Sequence, residues 1–302
     1  MKNAHVEAAS APLPVGRRAT GRVADYVALA KPRLNVLVVA SSAAGYYLGS
    51  PSAPQLAPMA LAVGGTALVA GGAAVLNQVY ERDTDALMLR TRMRPLPDRR
   101  VGVDEARVFG IVLAAAGIAV LSLSANLLAA VVAAATLAIY LAAYTPLKRR
   151  SAASTLVGAV PGALPPLIGW TAGRGAIDAG GWALFAIVFL WQIPHFMAIA
   201  WMYREDYRRA GFPMLPVVEP DGARTGRQAV LYAVALVPVS LVPAVVGVAG
   251  LAYFWFALAL GVSFLVLAAR FAALRSEARA RALFYGSLLY LPLIWAAMIL
   301  DH

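Results

Sequence analysis

The sequence predicts an all-α polytopic membrane protein of nine transmembrane helices with its N-terminus in the cytoplasm. Three observations carry that reading. Of 302 residues, 61% are hydrophobic and 14% charged, where soluble domains carry about 25% charged residues. Nine apolar segments approach or exceed the roughly 18–20 residues that cross a bilayer; they run near 34–50, 56–80, 107–125, 128–146, 152–173, 181–203, 228–248, 251–270 and 282–300. With the N-terminus inside, 25 of the 26 Lys and Arg fall in inside segments and only Arg174 lies outside, the bias that sets membrane topology.

The chain divides into two parts. Residues 1–22 are rich in Ala, Pro and Arg and lack an apolar core. They read as a disordered cytoplasmic tail and not as a cleavable signal peptide. Residues 23–302 read as one transmembrane domain. Its outside loops are very short, as at Ser124-Ala125-Asn126, and two inside loops are long, 81–106 and 204–227. Function therefore faces the cytoplasm. Each long loop starts with acids and continues with basic residues, a layout that suggests two related halves. In the fifth span, Pro161-Gly162 and Pro165-Pro166 predict a break, with small residues permitting close helix approach. The net charge of +11 reflects topology and attraction to anionic lipid, not nucleic-acid binding. The absence of cysteine excludes disulfides, thiolate metal sites and a cysteine nucleophile.

The second span ends in Asn77-Gln78-Val79-Tyr80-Glu81-Arg82-Asp83-Thr84-Asp85. Acids this close to hydrocarbon are costly and mark function. Asn77, Glu81 and Asp85 are spaced i, i+4, i+8, so on a helix they form one oxygen-bearing stripe drifting by about 40° per step. Such a stripe suits Mg²⁺, which takes oxygen ligands and bridges carboxylates to substrate phosphates. Arg90, Arg92 and Arg94 follow, placing phosphate-binding guanidinium groups beside the carboxylates. Asp83 falls on the opposite helix face, where an ion pair with a neighbouring arginine and a metal role both remain open.

Other candidates are less specific alone. The second loop opens with Tyr203-Arg204-Glu205-Asp206-Tyr207-Arg208-Arg209, which fits either a solvated interfacial turn or a second metal or phosphate shell. His195 sits beside Pro194 and Gln192 in the sixth span; it fits either a packing residue or a substrate contact. Lys148, in Tyr144-Thr145-Pro146-Leu147-Lys148, and Lys31, in Lys31-Pro32-Arg33, either hold phosphate as point charges or snorkel to headgroups.

Together these strings resemble the UbiA superfamily of intramembrane prenyltransferases, from about Tyr26 to the end, and most closely its heme O synthase branch. The superfamily's first motif, Asn-x-x-x-Asp-x-x-x-Asp, stands here as Asn77, Glu81 and Asp85, with Glu for the first Asp. The branch-like strings are Lys31-Pro32-Arg33, Arg90 to Pro97, Tyr144 to Arg149, Gly162 to Trp170, Pro194-His195-Phe196, and Asp206-Tyr207 leading to Pro213-Met214-Leu215-Pro216. Two positions depart. The second motif often has two aspartates four apart, whereas Asp206 is followed at that interval by Ala210. Ser154 stands where Asn is expected.

The resemblance implies a nine-helix bundle around a central cavity open to the cytoplasm and laterally to lipid, in a bacterial inner membrane. It implies transfer of the farnesyl group of farnesyl diphosphate to a vinyl group of heme B with addition of water, giving heme O and diphosphate for terminal oxidases. Asn77, Glu81, Asp85 and Asp206 would be catalytic, the first three as Mg²⁺ ligands. Arg90, Arg94, Lys148, His195, Lys31, Tyr144 and Glu205 would bind substrate. Heme B would be substrate and not cofactor. The lipid bilayer is a partner, and a downstream heme-modifying enzyme or terminal oxidase is a candidate protein contact. A sibling enzyme acting on a quinone-ring precursor or chlorophyllide would share the first stripe, but the second loop and the His195 region favour heme. A transporter also keeps acids at membrane depth; here the charges gather on one face and the outside loops offer no polar vestibule.

Overall fold

The computed structural model describes residues 21–302, so the tail assigned to 1–22 lies outside the described residues except at its last two positions. Chain order explains the architecture. α1 (Arg22–Ala30) and α2 (Pro32–Gly49) meet at a bend of 46°. Lys31 between them is left-handed, at φ 50° and ψ 52°. Pro32 accounts for the break: its ring crowds the preceding residue out of the right-handed helical region. As first residue of α2 it sacrifices no hydrogen bond, because that N–H has no helical partner.

α3 (Leu56–Asp85) has 30 residues and is about 45 Å long at 1.5 Å per residue. It outruns the apolar segment predicted to end near 80, so the acids ride on its last two turns. α4 (Val103–Ser124) returns across the bundle. The fourth span is composite: α5 (Leu127–Ala138), a π-helical turn over Ile139–Tyr144, and α6 (Thr145–Leu147). α7 (Ser154–Arg174) and α8 (Ala179–Met202) follow. The second long loop is largely helical, holding α9 (Arg204–Arg209) and α10 (Leu215–Val218). α11 (Ala223–Val239) with α12 (Val242–Val245), α13 (Leu251–Leu274) and α14 (Glu277–Leu300) complete the chain. Among the described residues, eight spans are long and apolar enough to cross a membrane, and the bent α1–α2 pair makes nine.

One expectation needs correcting. α7 is not broken: it runs on through Pro161, Pro165 and Pro166, all buried. Prolines interrupt a membrane helix less than a soluble one, because packed neighbours hold the helix together around the freed backbone groups. α7 is held tightly. A Cβ on Gly169 would collide with the Ser42 carbonyl of α2, and one on Gly45 would collide with the Pro166 carbonyl. α3 and α4 approach in the same way; a Cβ on Gly72 would lie 2.7 Å from the Ala114 nitrogen. Small residues thus let backbones touch where lipid supplies no hydrophobic drive. α8 packs against α7, α11 and α14, which is why Leu184, Ile187 and Ala198 are fully buried.

The basic loops converge at one end of the bundle. There Asp25 pairs with Arg100, Asp85 with Arg94 and Glu81 with Lys148. At the other end Arg174 pairs with Asp178 at 3.3 Å, and Asp301 accepts the Tyr253 N–H at 2.7 Å where α13 begins.

Gly169→Val will force α2 and α7 apart. Overpacking of this kind costs about 1–3 kcal/mol, so the detergent-solubilised variant will melt at lower temperature. Gly64→Val will melt like wild type, since a Cβ at that position would have no neighbouring atom within 4 Å.

Candidate active site

Asn77, Glu81 and Asp85 are 4%, 5% and 1% exposed. Two carboxylates this deeply buried demand counter-charges, and three separate parts of the chain supply them. Lys148, just beyond α6, donates to both Glu81 oxygens at 3.0 and 3.1 Å. Arg94, in the loop after α3, donates to Asp85 Oδ2 at 2.8 Å. Lys31, at the left-handed hinge, lies in the electrostatic field of Asp85, Glu81, Arg94 and Lys148. The Asn77 amide donates to Thr145 Oγ1 at 3.2 Å, and the Thr145 hydroxyl donates to the Tyr140 carbonyl at 2.8 Å. The π-helical turn sets this up. It brings the Tyr140 and Tyr144 rings into a stack at 5.3 Å and places Lys148 6.0 Å from the Tyr144 ring centre. Such turns cluster at functional sites.

The second loop closes the site from the other side. Phe212 is 1% exposed, and Lys148 Nζ stands 4.7 Å over its ring. Met88 of the first loop packs with Tyr207, Phe212 and Met214 of the second in a small separate core. Arg90 lays its guanidinium over Tyr203 at 4.8 Å and Tyr207 at 5.9 Å. These cation–π contacts strengthen where water is excluded.

Most of the predicted residues therefore meet, and some stand apart. Asp206 reaches the backbone of the first loop: its oxygens accept the Leu89 and Arg90 N–H groups, each at 3.3 Å. Glu205 does not join the cluster. Its side chain is 61% exposed and takes the Arg208 guanidinium at 2.5 Å, because a step of one residue along α9 turns it away from the face that carries Asp206. Asp83 points outward to Arg82, as its helical phase requires, with 84% of its side chain exposed. His195 lies deeper, between α8 and α14. Its ring stacks between Trp191 at 5.3 Å and Phe284 at 5.1 Å, and Nδ1 is 2.7 Å from Ser287 Oγ. The Ser287 hydroxyl donates to the Phe284 carbonyl at 2.5 Å. Its single hydrogen is thereby used, so Nδ1–H is the donor to Oγ and Nε2 keeps a free lone pair.

Sequence reasoning missed Thr145, Thr91, Tyr140 and Phe212. Thr91 donates to the Asp85 carbonyl at 2.7 Å and pins the turn that delivers Arg94. The readable signal was a threonine beside each basic run, at 91 and at 145, where the chain is otherwise apolar or charged.

The donor set fits a hard divalent cation. Among the described residues, no three of His, Cys, Asp and Glu gather around a point, so no closed protein cage forms. Mg²⁺ does not need one: it is held by one or two carboxylates completed by substrate phosphates and water. Asp85 Oδ1 is buried and has no hydrogen-bond partner among the described residues, an unmet demand that a cation would satisfy.

Among the described residues, an oxygen stripe with paired cations stands at one mouth of a helical bundle of eight or nine candidate spans, an arrangement suited to an anionic group beside hydrocarbon. The profile of the UbiA prenyltransferase family matches residues 38–294, and the chain belongs to that family. Among its relatives are the protoheme IX farnesyltransferase of Solibacter usitatus, 50% identical over 92% of this chain and 98% of its own length, and that of Salinibacter ruber, 45% identical over 92% and 98%. Solved structures share the fold. A digeranylgeranylglyceryl phosphate synthase superposes with a TM-score of 0.77 at 18% identity, covering 92% of this chain and 98% of its own. A UbiA homolog from Archaeoglobus fulgidus bound to GPP and Mg²⁺ superposes with a TM-score of 0.64 at 18% identity, covering 91% and 99%.

Lys148→Met will leave the Glu81 carboxylate buried without its cation and lower the melting temperature, since breaking a buried pair costs about 3–5 kcal/mol. Adding Glu81→Gln will recover most of that loss, and thermal unfolding of the four members of the cycle will measure the coupling. A fully additive cycle would contradict the pairing.

Proposed function

We infer that the protein is a bacterial inner-membrane enzyme that transfers the farnesyl group of farnesyl diphosphate to a vinyl group of heme B, with addition of water, giving heme O and diphosphate. The observation that carries the reading is the buried Asn77–Glu81–Asp85 stripe, with an unpartnered Asp85 oxygen, inside a ring of Lys31, Arg90, Arg94 and Lys148. The shared name of relatives at 42–50% identity supports the acceptor and the prenyl length. The concentration of Lys and Arg at this end supports a cytoplasmic active site.

Asn77, Glu81 and Asp85 would hold Mg²⁺ together with diphosphate oxygens. Bound there, the ion would draw off charge as the diphosphate departs. Arg94, Lys148, Lys31 and Arg90 neutralise the same oxygens as the allylic C–O bond breaks and its electron pair leaves with diphosphate. The rings of Tyr140, Tyr144 and Phe212 shield the allylic cation from water and offer it π-faces. The heme vinyl π-pair forms the new C–C bond. Water then adds to the carbon left electron-poor beside the macrocycle and releases one proton, completing the hydroxyalkyl product. No covalent intermediate on the protein is needed. His195, with Nε2 free, is the proposed heme contact, and its aromatic neighbours Trp191, Phe196 and Phe284 suit a macrocycle.

Membranes holding the protein, given heme B, farnesyl diphosphate and Mg²⁺, will yield heme O detectable by mass. Asp85→Ala will lower that rate by at least about 10²-fold, the scale of losing one preorganised charge-stabilising group, while inserting normally into membranes. Chelation with EDTA will stop turnover and added Mg²⁺ will restore it; turnover that survives chelation refutes the metal role. His195→Ala will change the absorption spectrum of bound heme. An unchanged iron ligand field would remove ligation by this residue.

A further inference from the structure

The second loop carries a carboxylate that the family pattern places beside a metal. Its surroundings here are different. Asp206 offers its two oxygens to the main chain of the other loop, Oδ1 to the Leu89 N–H and Oδ2 to the Arg90 N–H. One cation, Arg209, stands 3.8 Å from Oδ1. The family's second carboxylate is missing: the residue four further on is the buried Ala210, and Glu205 faces solvent with Arg208. A divalent cation needs several oxygens, and beside Asp206 the second carboxylate of the family pattern is missing.

The same few residues also hold the Arg90 side chain. Tyr203 and Tyr207 flank Asp206 in sequence, and both rings lie under the Arg90 guanidinium. The main chain and the side chain of one arginine are thus gripped by a single turn of the second loop. The grip propagates along the first loop. Thr91 and Arg92 each donate N–H to the Met88 carbonyl, at 3.2 and 3.0 Å, and Arg94 donates to the Thr91 carbonyl at 2.9 Å. Arg94 then reaches Asp85. Met88, packed in the apolar contact between the loops, is 1% exposed.

We propose that Asp206 is a positioning residue that fastens the two loops together, so that Arg90 and Arg94 meet the prenyl diphosphate, and that it does not ligate a second divalent ion. The proposal rests on the prenyl-transfer reading for its kinetic consequences but not for its structural one.

Two variants and three readouts test it on the full-length protein in membranes. Asp206→Ala removes both acceptors. Its KM for farnesyl diphosphate will rise about tenfold, which is the loss of one or two modest hydrogen bonds. Its half-saturating Mg²⁺ concentration will stay near the wild-type value. Trypsin will cut faster at Arg90 and Arg92. Asp206→Asn keeps one acceptor oxygen and sets an NH2 donor against the other main-chain N–H, so its KM and its protection will fall between those of wild type and Asp206→Ala or match Asp206→Ala. Two outcomes overturn the proposal: a Mg²⁺ requirement raised severalfold in either variant, or unchanged tryptic cleavage in Asp206→Ala. If wild-type membranes make no heme O, the transfer reading fails, and the trypsin comparison alone still decides whether Asp206 fastens the loops.

Discussion

Two carboxylates buried at the mouth of a hydrocarbon-facing bundle are the constraint from which the rest of this structure follows. Glu81 and Asp85 sit on the last two turns of α3, 5% and 1% exposed, where an uncompensated charge would unfold the site. Their compensation is drawn from distant stretches of chain. Lys148 comes from the end of the fourth span, Arg94 from the loop after α3, and Lys31 from the hinge before α2. Each cation needs its own support, and each support is a recognisable local device: a π-helical turn, a threonine-pinned turn and a left-handed residue placed just ahead of a proline. The polar site organises the loops, and the loops in turn seal it.

The apolar part of the fold answers a different demand. Helices in lipid gain little from hiding hydrocarbon, so they associate through close backbone contact. α2 and α7 meet at Gly45 and Gly169, and α3 and α4 meet at Gly72. The α3–α4 contact fixes α3 along its length. That rigidity keeps Asn77, Glu81 and Asp85 in one phase as the helix leaves the apolar layer. Core packing and site geometry are therefore connected through a single long helix.

Much of this was legible in the sequence, and the reason is local. The spans were visible as apolar runs, the gathering of basic loops at one end as an imbalance of Lys and Arg, and the stripe as an i, i+4, i+8 spacing. The phase of Asp83 followed from the same helix geometry. What could not be read depended on contacts between segments far apart in sequence. Nothing local distinguishes the π-helical turn at Ile139–Tyr144 from ordinary helix. Three prolines in α7 suggested a break because propensity weighs the single helix, while the packed neighbours that hold it together are remote. The carboxylate of Asp206 could be placed beside the first loop, but its engagement with the Leu89 and Arg90 amides depends on how two loops fold over each other. Glu205 was expected to contact substrate beside Asp206, but the geometry of α9 turns it to solvent.

The hinge at Lys31 has a consequence for how this sequence can drift. A left-handed backbone costs an ordinary side chain about 1 kcal/mol or more, and glycine would remove that cost. Glycine would also remove the ammonium group that feels the charges of Glu81 and Asp85. Arginine would restore a charge yet keep the strain, on a longer and differently shaped group. Moving the charge to a neighbouring position would need the backbone to change as well. No single substitution improves one property without damaging the other, so evolutionary change at this position is tied to compensating change in α1 or Pro32, and the hinge is expected to be inherited as a unit.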